Sequence, residues 1–247
     1  MPRYLLLSDI HANLTALEAV LAAAEGSWDR VICLGDVVGY GPDPNEVIDR
    51  MVQMGIQTIR GNHDKAASGE GGDDFNPVAR AAIDWTRRQL RPENRRWLQA
   101  LPSGPLGIDG WACVHGSVDD EDEYVFSEED AARSLRHSPS PITFFGHTHV
   151  QGGFLLRNER VEGFRPPLLA GGESAPWELD PAARYMINPG SVGQPRDRDP
   201  RAAFAVADGD SQAIEFRRTA YDIASVQERM EGAGLPEPLV LRLAFGR

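Results

Sequence analysis

Three apolar runs punctuate the first sixty-odd residues: "RYLLLSD" (3–9), "DRVICLGD" (29–36) and "IQTIRGNHD" (56–64), with a helix-patterned segment between each and the next. This β-α-β-α-β rhythm constrains the fold more than any other feature. Strands joined through helices run parallel, and each crossover packs a helix on the sheet. The helix signals are explicit. Asn13 is placed to cap "NLTALEAVLAAAEG" (13–26), with Gly26 as its stop. Asp43, Pro44 and Glu46 give "DPNEVIDRMVQMG" (43–55) an N-cap, a first helical residue and a capping-box-like pattern.

The rest of the chain changes character. A Gly- and Asp-rich loop (65–76) leads to two helices, "PVARAAIDWTRRQL" and "PENRRWLQAL". "GPLGIDGWACVHG" (104–116) reads as a hairpin, "DDEDEY" (119–124) as an acidic loop, and "SEEDAARSLRH" (127–137) as a helix capped by Ser127. "PITFFGH" is a further strand with "VQGGFLL" pairing after it, and residues 157–183 read as irregular. "RYMINPGSVGQPRD" (184–197) is a strand and a tight turn, "AAFAVADGDSQAIEFRR" (202–218) a hairpin, and "DIASVQERMEGAG" (222–234) a helix. Parallel strands followed by antiparallel ones predict one α/β domain over 1–247: a four-layer α-β-β-α sandwich with two mixed sheets.

Composition narrows the function. Lys plus Arg number 25 against 37 Asp plus Glu, a formal net charge of −12. An acidic surface argues against a stable nucleic-acid complex and gives no reason to dock on anionic membranes. No apolar stretch approaches the length of a membrane span. The short apolar run at the N-terminus is interrupted at once by Asp9, unlike a signal peptide, so a cytoplasmic home is the expectation. Cys33 and Cys113 lie in strand-like runs and read as buried, inert thiols. The oligomeric state is left open.

The histidines carry the chemistry. Of His11, His63, His115, His137, His147 and His149, all but His137 stand at or just past a strand end, where sites assemble in α/β sheets. Asp9, Asp36 and Asn62 stand in the same places. One Asp-X-His would be a solvated pair; here successive strands deliver seven nitrogen or oxygen donors to one edge. His147 and His149, two apart in "GHTH", would look the same way if the strand continued. Seven donors suit two ions sharing a carboxylate, with Asp36 as the natural bridge. Mixed imidazole, carboxylate and amide ligands favour Mn, Fe, Zn, Co or Ni over Ca.

The ordered motifs "DIH" (9–11), "GDVVGYG" (35–41), "GNHD" (61–64), "VHG" (114–116) and "GHTH" (146–149) resemble those of the calcineurin-like metallophosphoesterase superfamily. The stretches "GDVVGYGPDPNE" and "NPGSVGQPRD" (188–197) are similar to its small stand-alone bacterial and archaeal phosphodiesterases. The resemblance implies that Asp9, His11, Asp36 and His149 hold one metal and that Asp36, Asn62, His115 and His147 hold the other. It implies that His63 is the general acid, the alternative being that His63 orients Asn62 or a water; Asp64 is placed to orient His63 or, preferably, to cap the loop. Arg196 and Tyr40 become candidates for holding the phosphate. Gly39-Tyr40 stands where the superfamily's protein phosphatases carry an Asp-Arg pair, which argues against a phosphoprotein specialist.

The implied activity is hydrolysis of a small phosphate ester or nucleotide, most simply a phosphodiester, by a hydroxide bridging two divalent ions. A nucleotide pyrophosphatase, a phosphomonoesterase, and a non-catalytic scaffold or sensor are the alternatives. The acidic loops 66–76 and 119–124 are expected to flank the site and to disfavour long polyanions.

Overall fold

The computed structural model describes residues 1–72, 74–166 and 175–247. Two six-stranded sheets pack face to face. In the first, β1 (Arg3–Leu7), β2 (Arg30–Cys33) and β3 (Gln57–Thr58) run parallel, joined through α1 (Leu14–Ala23) and α2 (Pro44–Met54). β11 (Ala202–Asp208) and β12 (Ala213–Thr219) extend it antiparallel from β1, and β9 (Trp177–Glu178) closes that edge. The second sheet contains β4 (Leu106–Ile108), β5 (Trp111–Cys113), β6 (Ile142–Phe144), β7 (Gly152–Arg157), β8 (Arg160–Phe164) and β10 (Arg184–Asn188). Its order is β4-β5-β6-β10-β7-β8, with β5, β6 and β10 parallel.

Alternation along the strands builds the layers. Tyr4 and Leu6 of β1 turn inward onto the second sheet, where they share a core with Trp111, Phe144, Tyr185 and Ile187. Leu5 and Leu7 turn outward onto Leu17 and Val20 of α1 and Val47 and Met51 of α2. On the far face of the second sheet, Phe145 and Met186 pack against Ala131 and Leu135 of α6 (Glu128–His137). Both sheets are covered on both faces, and the expected four-layer α-β-β-α arrangement is the observed one.

Four local readings need correction. Asn62–Ser68 form a helix, α3, inside the stretch expected to be turn and loop; its first turn accepts the Asx and Gly residues that suggested a turn, because such residues also start helices. The Asp43 carboxylate makes no cap bond on α2; it accepts from Leu14 N at 3.3 Å and pairs with Arg229 at 3.0 Å. β7 does not pair with β6, because β10 runs between them and adds a parallel ladder to β6. The stretch 157–183 holds β8 and β9; its residues 167–174 lie outside the described ones, as does residue 73 of the loop 66–76.

Candidate metal centre

Every sequence-nominated donor lies just past the carboxyl end of a parallel strand. Asp9 and His11 follow β1, Asp36 follows β2, Asn62 begins α3 after β3, His115 follows β5, and His147 and His149 follow β6. The sheets face each other, so both rows of strand ends meet. Donor atoms of Asp9, His11, Asp36 and His149 lie within 4.8 Å of one another, as do those of Asp36, His115 and His147; Asp36 belongs to both groups. Asn62 Oδ1 joins the second group, 3.2 Å from His115 Nε2. His137 stands apart on the surface, paired with Asp119 at 2.6 Å.

The backbone is bent to achieve this. Asp9, His11, Asp36, His147 and His149 all have positive φ, between 49° and 64°. Side-chain-bearing residues avoid that region, at a cost of about 1–3 kcal/mol each. His147 and His149 are therefore not continuing a strand, and the same-face argument from strand periodicity does not hold. They part: the His147 ring packs near His115 at 4.9 Å, the His149 ring on His11 at 4.8 Å.

Neighbouring loops hold the carboxylates. His63 N donates to Asp36 Oδ1 at 2.8 Å, and His147 N lies 3.2 Å from both Asp9 oxygens. A Cβ on Gly61 would sit 2.2 Å from Asp36 Oδ1, so only glycine lets α3 approach this closely. The turn "NPGS" laces the two metal loops together: Ser191 Oγ donates to Asp9 O at 2.8 Å, and Asn188 Nδ2 to Gly146 O at 2.8 Å.

The donor set fits metal ions. Nδ1 of His11, His115 and His149 faces the carbonyls of Val38, Leu34 and Gln194 at 3.1, 2.7 and 2.6 Å. Those carbonyls can only accept, so each Nδ1 carries the proton and each Nε2 offers a lone pair. His11 Nε2 and His149 Nε2 stand 3.1 Å apart. An N–H···N bond between them would need one imidazolium, but burial drives both pKa values well below the usual 6.5. A shared cation satisfies both lone pairs. His147 Nε2 faces the Asp122 carbonyl at 3.2 Å.

Burial also lifts the Asp9 carboxyl to about 7. At His115 burial works downward, but the Asp36 carboxylate at 3.4 Å prevails and raises the pKa to about 10. Without a cation, these acids and bases must neutralise one another.

His63 is buried against Tyr40, Phe75 and His11, with ring centroids 4.3, 4.7 and 4.8 Å away. Burial lowers its pKa to about 4, and its Nδ1 has no hydrogen-bond partner. Asp64 accepts from Gly61 N at 3.0 Å and Val38 N at 3.1 Å, which is capping geometry; it makes no hydrogen bond to His63. The Arg196 guanidinium lies 5.7 Å from the Tyr40 ring centroid.

Sequence reasoning passed over three neighbours. Tyr124, read only as the end of an acidic loop, stacks on His147 at 3.7 Å. Phe75 supports His63. Gln194 fixes His149 through its carbonyl. A cavity of about 340 Å³ beside the cluster is lined by Tyr40, Asn62, His63, Phe75, Tyr124 and His147, with Asp74 and Asp122 from the two acidic loops. The loops therefore do border the site, yet their charge is partly spent: Glu121 pairs with Arg60 at 2.7 Å and Asp122 with Lys65 at 2.8 Å.

Clustered carboxylates and imidazoles at the strand ends of a two-sheet α/β sandwich form a site that could hold metal ions. Residues 3–212 match the calcineurin-like phosphoesterase superfamily domain, and the chain belongs to that family of metal-dependent phosphoric ester hydrolases. The chain is 33% identical to an uncharacterized protein of Methanocaldococcus jannaschii, covering 98% of this chain and 97% of that one. Among solved structures it is similar to a metallophosphoesterase from Sphaerobacter thermophilus, at 41% identity and TM-score 0.87 over 100% of this chain and 99% of the other. A hypothetical protein from Pyrococcus horikoshii shares the fold, at 22% identity and TM-score 0.78 over 99% and 98%. Among the described residues, no helix is long and apolar enough to cross a membrane.

Proposed function

We propose that the chain is a dinuclear metal-dependent phosphodiesterase for a small phosphate ester, with residues 1–247 working as one domain. The observation that carries this reading is the membership of Asp36 in two adjacent donor groups. Asp9, His11, Asp36 and His149 hold one ion; Asp36, Asn62, His115 and His147 hold the other. Two divalent ions from the group Mn, Fe, Zn, Co or Ni would neutralise phosphate charge and supply a nucleophile at neutral pH.

The remaining roles fall to nearby side chains. Arg196 and Tyr40 hold phosphate oxygens over the cluster. His63 gives a proton to the leaving oxygen. That needs the imidazolium, which the negative charge of an arriving phosphate favours. Asp64 acts by position, pinning the turn that carries Asn62 and His63. The diester preference follows the resemblance of 35–46 and 188–197 to small phosphodiesterases. A cytoplasmic setting belongs to the same reading, supported by two buried, unpaired cysteines.

The test compares wild type and His63→Ala, each loaded with manganese, on bis-(p-nitrophenyl) phosphate and p-nitrophenyl phosphate. Wild-type turnover of the diester, lost in a variant that keeps its metal, is the expected result. A wild type that binds metal and cleaves neither ester would overturn the proposal in favour of a scaffold or sensor.

A further inference from the structure

Arg196 follows β10, and Arg242 ends α8 (Glu237–Arg242), beyond residue 212 where the family match stops. Both donate to one atom. Arg196 Nη2 lies 3.1 Å and Arg242 Nη1 3.2 Å from Gln194 Oε1. Two cations sharing one neutral acceptor repel each other. Among the described residues, neither guanidinium has a carboxylate at ion-pairing distance. The Nε atoms of both are buried without a partner. Burial and the charge of Arg196 lower the Arg242 pKa, the response of a cation that lacks an anion.

The pair also has direction. Arg196 packs against Tyr40, and Tyr40 packs on His11 at 4.6 Å and His63 at 4.3 Å. Arg242 meets Arg196 at the same Gln194 oxygen. Arg196 thus lies one residue, Tyr40, from His11 and His63, and Arg242 is joined to it through Gln194, each guanidinium with four of its five donors not spent on Gln194. Guanidinium forks match phosphate oxygens in shape and charge.

We infer that Arg196 and Arg242 form an anion subsite bordering the metal centre, which takes a second phosphoryl group linked to the scissile one. The preferred substrate is then a phosphate ester that carries a second phosphoryl group beside the scissile one, with simple diesters such as bis-(p-nitrophenyl) phosphate cleaved without use of this subsite. This inference rests on the proposal that the cluster binds phosphate, and it adds a residue from the C-terminal helices to that site.

Calorimetric titration of the manganese-loaded protein with inorganic phosphate and with pyrophosphate tests it directly, at fixed ionic strength. Arg242→Met should weaken pyrophosphate about tenfold, the worth of one charge-assisted hydrogen bond, and phosphate less than about twofold. Arg242→Lys should recover part of the loss. Metal content must stay at the wild-type level; its loss would mean that Arg242 only seats Gln194 and His149, and would overturn the inference. So would equal weakening of both anions, or none. If phosphate binds without this discrimination, the subsite alone falls. If the wild type binds neither anion, the phosphoesterase reading of the site falls with it.

Discussion

His11 Nε2 and His149 Nε2 face each other across 3.1 Å, and the second ring nitrogen of each is occupied by a backbone carbonyl. Two neutral imidazoles with opposed lone pairs form a repulsive contact until a cation joins them. Stripping metal with a chelator should therefore lower the melting temperature, and saturating manganese should restore it, because the ion binds only the folded arrangement. At a concentration 100 times its dissociation constant, the ion contributes about 2.7 kcal/mol. An unchanged melting temperature would contradict the reading.

Protons compete with metal for the His115 imidazole and the Asp9 carboxylate. His115, at about 10, must lose a proton to ligate and Asp9, at about 7, must be ionised, so manganese affinity should fall as pH drops from 8 toward 5. The dissociation constant, followed by titration across that range, should rise steadily toward acid. A flat profile would contradict the assignment of His115 and Asp9 as ligands.

Gly39 has φ +90°, and a Cβ there would come 2.4 Å from His63 Nδ1. Gly39→Ala must displace either the backbone or the His63 ring. Misplacement of a reacting group by about 1 Å costs on the order of 100-fold in rate. Diester turnover should fall by that order while metal content stays unchanged. Retained turnover would show that the backbone at residue 39 yields and that the His63 ring keeps its place.

Arg218 and Asp197 make a buried ion pair, 4% and 5% exposed, that ties β12 to the turn carrying Gln194 and Arg196. Arg218 Nε also donates to Gln151 Oε1 at 3.2 Å. Arg218→Met leaves Asp197 buried and uncompensated, which should cost about 3–5 kcal/mol in a denaturant titration. Adding Asp197→Leu should recover much of that loss. A small effect from the single change would show that Asp197 finds water or another partner.

Much of the site was legible because its parts are local. Each donor sits in a short motif directly after an apolar run, and β-α-β connections bring such strand ends to one edge. The two-sheet sandwich followed from the change between parallel and antiparallel patterning. What escaped was non-local or ambiguous. "GNHD" reads equally as a turn or a helix start, and only the packing of α3 against Asp36 decides. The insertion of β10 between β6 and β7 is a long-range pairing with no trace in either strand. The bond of Asp43 to Arg229 spans 186 residues and replaces the local cap that its own sequence suggested. Arg242 carries no motif, and its meeting with Gln194 depends on where the last helix lands.

The central claim is that two adjacent ions share Asp36. The most direct measurement is electron paramagnetic resonance during a manganese titration of the metal-stripped protein, with metal content per chain measured in parallel. Two ions per chain and a spin-coupled signal, reverting to an uncoupled one in Asp36→Asn, is the expected result. A single uncoupled ion per chain at saturation would contradict the account.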